Sequence, residues 1–362
     1  MKVLLLSRYG NLGASSRVRL YQYIPYLKKE DIYVTAAPLF DDDYVKNLYE
    51  KNARKANVVL YSYFKRLFDL ATIKKYDLVW IEKELFPMLP LWIERIIALL
   101  GIPYIVDYDD AIFHNYDMNA NRIIRFLLGS KIKKIMRKAA LVITGSPYLT
   151  EYALNAGANV FEIPTVIDLE KYPTEKSKEP DIFTIGWIGS PSTQMYLLEA
   201  LPALKEFCSK YKSKIVLIGA NEIIQEKFIG LPVEIAEWSS NTEIESIKKF
   251  TIGIMPLCDT PWTRGKCGYK LVQYMGGFLP VIASPVGVNK KIVDNGIDGF
   301  LANTKDEWTE AIQNLYHNNK LRERMGTIGR SKIEKVYSIQ ANISSYSKLL
   351  LNAAGNKLIK NG

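Results

Sequence analysis

Histidine and cysteine are scarce in this chain of 362 residues, at two and three respectively. Cys208, Cys258 and Cys267 cannot all pair, so a disulfide framework is excluded and a reduced, cytoplasmic setting is the simplest reading. With only His114 and His317, no His-rich metal site or Ser-His-Asp arrangement finds support. His114 is either a supporting residue of the site described below or an ordinary loop histidine. Long uncharged apolar runs are missing too. The longest, Leu85 to Val106, holds Glu94, Arg95 and three prolines, whereas a spanning helix needs about 20 apolar residues. It reads as a buried helix and strand. Val3 to Ser7 is too short for a signal-peptide core and ends at Arg8. Internal repeats and low-complexity tracts are lacking.

What is present is an ordinary globular composition, 48% apolar and 24% charged, with a net charge of +10. The length suggests two domains. The charge is uneven: residues 1–150 carry 23 Lys and Arg against 15 Asp and Glu, and the remainder 25 against 23. A basic first half fits an acidic partner or a merely solvated surface. Nucleic acid is not favoured, because no helix-turn-helix, zinc finger or stacking motif accompanies the charge.

Short β-branched runs alternate with amphipathic stretches, the rhythm of a parallel sheet covered on both faces. Strands are predicted at Lys2–Leu6, Tyr33–Ala36, Leu78–Ile81, Tyr104–Val106, Leu141–Thr144 and Val160–Ile163, with a helix over Arg17–Lys29. The polar stretch 173–180, with a proline at each end, reads as a linker. The rhythm then restarts, with strands at Phe183–Ile188, Lys214–Ile218, Val233–Ala236, Ile252–Met255 and Val281–Ala283. Helices are predicted near Met195–Tyr211, Glu243–Phe250, Gly268–Gly276, Asp306–Asn314, Leu321–Val336 and Ile339–Ala353.

The strongest local signal runs from Gly265 to Gly287. A glycine-bearing loop precedes a helix, a Gly-Gly stop and a β-branched strand. A helix opening after Gly268 offers N–H groups and a positive dipole end, suited to a diphosphate. Arg264, Lys266 and Lys270 crowd the same turn and add cationic contacts. The plain alternative is a generic helix-to-strand connection with scattered lysines. In Ile185 to Thr193 a strand runs into Gly189, Ser190, Pro191, Ser192 and Thr193, whose hydroxyls and free N–H groups suit either phosphate or ordinary capping. After the first strand, Gly10 and Gly13 permit a tight turn near a ligand, and Arg17 and Arg19 follow on different helix faces. Arg17, nearer the loop, is the one favoured for the site. At the end of another strand stand Asp107, Asp109 and Asp110, where sites of open sheets occur. These aspartates lack the further ligands that Mg²⁺ would need.

The block from Gly265 to Gly287, with Asn295–Ala302 downstream and Glu162–Tyr172 upstream, resembles family 4 glycosyltransferases of the GT-B fold over nearly the whole chain. The resemblance implies two Rossmann-like α/β domains facing a central cleft. It implies an acceptor-side domain over 1–172, the linker 173–180, a nucleotide-sugar domain over 181–338, and a helix 339–362 returning to the first domain. The family carries two glutamates eight positions apart in this block. Here they align with Gly265 and Gln273. Gln273 would meet the donor ribose without charge assistance, and Gly265 cannot contact the sugar. A subset of the family shares Lys270 and the Tyr274-Met275 pair. The family's Arg and Lys of the 189–193 loop are absent, so Arg264, Lys266 and Lys270 would hold the diphosphate. Where many members have His-Asp, this chain has Asp109-Asp110.

The implied activity is transfer of a hexose, with retention, from a nucleoside diphosphate sugar to a hydroxyl of a glycan or lipid-linked acceptor, in cell-surface polysaccharide synthesis. No cofactor or metal is expected. The alternatives are an inactive glycosyltransferase-like partner subunit and a GT-B nucleotide-sugar epimerase. Residues 121–138 hold seven basic residues and no acidic one at near-helical apolar spacing. They read either as peripheral contact with an anionic membrane at its inner face, or as a core-packed helix with a solvated basic side.

Overall fold

The computed structural model describes residues 1–51, 56–91, 94, 97, 101–239 and 242–359. The chain forms two compact units. The first comprises Met1–Thr165, Gly265–Cys267 and Asn342–Gly362, the second Val166–Arg264 and Gly268–Ala341.

Each unit is built on a six-stranded parallel sheet. The first contains β1 (Lys2–Leu6), β2 (Tyr33–Ala36), β3 (Leu78–Glu82), β4 (Tyr104–Tyr108), β5 (Leu141–Thr144) and β6 (Val160–Glu162), in the order β2-β1-β3-β4-β5-β6. The second contains β7 (Phe183–Ile188), β8 (Ser213–Ile218), β9 (Val233–Ala236), β10 (Ile252–Met255), β11 (Val281–Ala283) and β12 (Gly299–Leu301), in the order β12-β11-β10-β7-β8-β9. β3, β4, β5, β7, β10 and β11 are buried along their whole length, whereas the edge strands β2, β6 and β9 are partly exposed. Strands covered on both faces have no wet side, so their sequences run apolar instead of alternating.

The strand order reverses between β1 and β3 in one sheet, and between β7 and β10 in the other. Loops leaving the carboxyl ends at such a reversal are splayed apart and leave a crevice for ligands. In the second unit the helix Tyr269–Gly276 lies against this point. Its Tyr274 hydroxyl accepts from the Ile188 N–H at 2.8 Å, tying the helix to the end of β7.

The eleven predicted strands are all present, and β12 is an addition. The long helix 17–29 is instead Ala14–Arg19, a 3₁₀ turn and Ile24–Lys29, with Pro25 in the first turn of the last piece. Pro202 likewise opens the helix Leu201–Lys210 after a 3₁₀ stretch. The stretch 121–138 is broken at Gly129-Ser130 into Arg122–Leu128 and Lys131–Lys138. Most of the helix read within 85–106 lies outside the described residues.

The compact units divide at Thr165/Val166, so the polar stretch 173–180 falls inside the second unit. Ile167 exchanges backbone bonds with Tyr337 and Ile339, Tyr172 joins the core, and Glu179 pairs with Arg322 at 2.6 Å. These contacts hold the stretch down despite its polar composition. The helix Ile339–Ile359 contributes Asn342 onward to the first unit.

Candidate functional site

In the first unit the carboxyl ends of β1, β3 and β4 gather a charged cluster. β3 runs into Glu82, Lys83 and Glu84, all buried. Lys83 sits at φ +63°, in the left-handed region, which is strained for a residue with a side chain. Its ammonium lies 2.8 Å from Asp109 Oδ1, 3.4 Å from Ser15 Oγ and 3.8 Å from Asp110 Oδ2. Burial alone would raise the Asp109 pKa, but the Lys83 charge and hydrogen bonds from Lys83 and Ser15 hold it below the usual value. Burial works against the Lys83 charge too, and Asp109, Asp110 and Glu82 outweigh it, so its pKa is raised. Glu82 accepts from the Arg8 N–H at 2.7 Å and Ser16 Oγ at 2.6 Å, and burial pushes its carboxyl up.

The segment 265–267 closes on this cluster. Lys266 Nζ lies 3.6 Å from Asp110 Oδ1, and the Cys267 thiol donates to the Asp109 carbonyl at 2.8 Å. Burial pushes that thiol up, so it stays neutral. Gly265 has no room for a side chain: a Cβ would stand 2.5 Å from Ala111 Cβ and 3.0 Å from the Ala111 backbone nitrogen. Asp109, Asp110 and Lys266 are therefore brought together. Of the two arginines, Arg19 is buried and bidentate to Asp107 at 2.9 and 3.2 Å, a structural pair. Arg17 is half-buried, with its guanidinium 3.5 Å from the Asn11 carbonyl in the loop. Gly13 caps that helix and donates to the Gly10 carbonyl at 3.2 Å. His114 is held between Asp117 at 2.9 Å and the Tyr148 hydroxyl at 2.8 Å, a structural role. His317 meets the Tyr211 hydroxyl at 3.3 Å.

In the second unit, Gly189–Thr193 follows β7 at the strand-order reversal. The Ser190 N–H donates to Thr193 Oγ1 at 3.2 Å, and the Ser190 and Ser192 hydroxyls lie 2.9 Å apart. The Trp187 ring lies so close beneath Gly189 that a Cβ there would come within 2.3 Å of it. Over the same ring stands the Lys270 ammonium, 5.4 Å from a ring centroid. Trp187 thus joins the Gly189 loop to the first turn of the helix Tyr269–Gly276. That helix opens at Gly268, whose φ of +66° suits glycine. Arg264 is turned to Asp259, at 2.7 and 3.1 Å. Gln273 is buried and its amide donates to Glu243, whose other oxygen accepts from Trp238 Nε1 at 2.7 Å.

Two residues of this arrangement escaped the sequence reading. Lys83 was signalled by alternating charges at the end of a buried strand. Glu243 carries no motif, and only the fold brings it to Gln273. Among the described residues, no group of three or more His, Cys, Asp or Glu is placed to hold a metal ion. Nor is any described helix long and apolar enough to cross a membrane.

Residues 179–318, most of the second unit, match the sequence model of the family described as glycosyl transferases group 1. No curated protein matches the chain. Among solved structures it is similar to a sucrose-phosphate synthase from Thermosynechococcus elongatus, at 14% identity, with all of both chains covered and a TM-score of 0.73. It is similar to HepE of Anabaena in complex with UDP-glucose, at 16% identity over 98% of this chain and 100% of that one, with a TM-score of 0.72. A glycosyltransferase from Rickettsia africae matches at 12% identity over 99% and 98%, with a TM-score of 0.69. The fold is that of the GT-B glycosyltransferases. The resemblance to glycosyl transferases group 1, carried in the sequence by the Gly265–Gly287 block, is found again in the family match.

Proposed function

We propose that this chain is a retaining glycosyltransferase that moves a hexose from a nucleoside diphosphate sugar to a hydroxyl acceptor. The observation that carries the reading is the meeting of Lys270, Trp187 and the Gly189 loop at the opening of the helix Tyr269–Gly276, inside the family-matched segment. When the glycosidic bond to the diphosphate breaks, negative charge grows on the leaving oxygen. Helix N–H groups and fixed cations stabilise that charge. Arg264, Lys266 and Lys270 supply the cations, with Ser190 and Ser192 as donors and Gln273 on the ribose. Asp109, kept ionised by Lys83, orients a reacting hydroxyl, with Asp110 and Arg17 beside it. The UDP-glucose complex of HepE supports a nucleotide-sugar donor. A glycan or lipid-linked acceptor, cell-surface polysaccharide synthesis and work at the inner membrane face, through contact at 121–138, belong to the same proposal.

The test is calorimetry and turnover with a panel of nucleoside diphosphates and their sugars. One of them is expected to bind. Lys270→Ala should weaken it by about 1.5–3 kcal/mol, the range for a charge-assisted contact. Asp109→Asn should keep donor binding and lower turnover at least about tenfold. No binding across the panel would sink the reading. Gly265 favours one other reading, a non-catalytic partner subunit, because the family's sugar-contacting carboxylate is missing there. Binding without turnover of any donor would select it.

A further inference from the structure

The helix Ala56–Ala71 is built inside out. Ser62 and Arg66 face inward, 7% and 1% exposed, whereas Leu60, Tyr61, Phe64, Leu67 and Phe68 are between 44% and 75% exposed. These five fall within an arc of roughly 120° on a helix of 3.6 residues per turn. The buried Arg66 donates to the Ser7 carbonyl at 2.6 Å, and burial lowers its pKa to about 10. A core-facing helix has the opposite pattern. An exposed apolar face of this kind marks an interaction surface.

A second outward apolar face stands on the helix Arg122–Leu128, where Ile123, Phe126 and Leu127 are at least 63% exposed. The two helices belong to one flank of the first unit. Tyr63 of the first donates to the Pro87 carbonyl at 2.6 Å, and the N–H of exposed Met88 donates to the Tyr116 hydroxyl at 3.0 Å. Tyr116 lies in the turn of helix His114–Asp117 that packs against Arg122–Leu128. The next helix, Lys131–Lys138, has the reverse orientation. Its Ile132, Ile135 and Met136 are buried, while Lys133, Lys134, Arg137 and Lys138 are exposed.

The sequence had offered 121–138 as one amphipathic element. In the fold its first half turns apolar residues outward and its second half turns cations outward, and the larger apolar face comes from a helix 50 residues earlier in round terms, about 56–71. We infer that this flank docks on an anionic lipid bilayer. The apolar faces of Ala56–Ala71 and Arg122–Leu128 enter the interface, and the cations of Lys131–Lys138 meet the phosphate headgroups. Charge complementarity selects this occupant: Arg122, Lys133, Lys134, Arg137 and Lys138 are exposed with no carboxylate anywhere in 121–138, while Lys131 is buried on Glu84. Tyr61 is also of the aromatic kind that settles at the headgroup level, and Phe64 and Phe68 are of the kind that forms the buried face of interfacial helices. The inference rests on the membrane contact proposed above for 121–138 and deepens it by naming the docking surface, while it is independent of donor and acceptor.

The experiment is co-sedimentation of the full chain with vesicles of phosphatidylcholine, alone or mixed with phosphatidylglycerol. The chain is expected to pellet with the mixed vesicles and stay in the supernatant with the neutral ones. Phe64→Ser/Phe68→Ser and Lys133→Glu/Lys134→Glu should each lower partitioning at least about tenfold. All four side chains are exposed, so the thermal midpoint and nucleoside diphosphate binding should not move, which separates this test from that of the transferase reading. Three outcomes would overturn the inference. One is a wild-type chain that ignores the mixed vesicles. Another is a serine variant that pellets like wild type. The third is a wild-type dimer that ignores vesicles and is split by the serine pair, which would make a second copy of the chain the occupant.

Discussion

The Lys83 ammonium lies 2.8 Å from the Asp109 carboxylate, and both side chains are almost wholly buried. Removing one partner of such a pair strands the other's charge, at about 3–5 kcal/mol. Lys83→Met is therefore expected to lower the unfolding free energy by that amount. Lys83→Met/Asp109→Asn should recover part of it in a double-mutant cycle. The pH dependence follows from the directions of shift. Asp109 is held below its usual pKa, so its contribution is present above the ordinary carboxylate value and fades as pH falls through the lower folded value. The stability gap between wild type and Asp109→Asn should be constant near neutrality and shrink below about pH 4. Denaturant titrations at several pH values check it; a gap independent of acid would refute the ionised pair.

Gly265 aligns with a glutamate in the family that the sequence resembles, and its surroundings leave no room for a side chain. A Cβ would meet Ala111 Cβ at 2.5 Å and the Ala111 nitrogen at 3.0 Å. Gly265→Glu should therefore destabilise the fold by about 1–3 kcal/mol through overpacking, without adding activity. Gly265→Ala/Ala111→Gly should relieve only the first contact, because the second is to backbone. An unchanged unfolding midpoint for Gly265→Glu would show that the loop has room.

Gln273 explains itself through Glu243. Its amide donates to a carboxylate that also accepts from Trp238 Nε1. A glutamate at 273 would place two carboxylates in contact, where one must take up a proton. Gln273→Glu is expected to cost about 1.4–4 kcal/mol at neutral pH, equivalent to a rise of one to three pKa units. With a raised folded pKa the penalty is absent in acid, sets in above the ordinary glutamate value and is full only above the raised folded one. Gln273→Glu/Glu243→Gln restores one donor and one carboxylate, and should be close to wild type. If the single variant is as stable as wild type at pH 7, Glu243 is not what requires an amide at 273.

The inner strands were legible because burial on both faces leaves little freedom in their composition, the exposed edge strands β2, β6 and β9 through their β-branched and aromatic residues, and the Gly265–Gly287 block because a helix start, stop and strand are punctuated by glycine. Lys83 was overlooked although Glu82, Lys83 and Glu84 end a fully apolar strand, a charge pattern that only a site or an ion pair tolerates. Arg17 was preferred to Arg19 only for its nearness to the loop, since what sets Arg19 apart is Asp107, 88 residues away. The role of 173–180 was hidden for a similar reason. Polar composition speaks of solvent, but Arg322 and Arg330 reach it from one distant helix, Asn319–Val336. The inverted helix Ala56–Ala71 was unread because amphipathic spacing shows that two faces differ, not which one faces the core.

Tyr346 gives the clearest test of the final helix. Its ring is wholly buried, stacked on Tyr23 at 4.4 Å between centroids and 5.5 Å from Trp80. Its hydroxyl donates to Asp107 Oδ2 at 3.1 Å, the carboxylate that holds Arg19. Asp107 outweighs the effect of burial and keeps the Arg19 pKa above its ordinary value, so the guanidinium stays charged, while burial pushes the Asp107 carboxyl up. Three changes should then grade in severity. Tyr346→Phe keeps the packing and loses one bond to a charged group, about 1.5–3 kcal/mol. Tyr346→Ala leaves a ring-sized cavity, about 3–5 kcal/mol. Deleting residues 342–362 strips Tyr346, Leu350 and Ala353 together and wets the face they cover, so the chain should bind a hydrophobic dye and aggregate. Thermal unfolding of the two point variants and the solubility of the truncation measure the series. A truncated chain that stays soluble with the wild-type midpoint would mean that the helix is no part of the first unit's core.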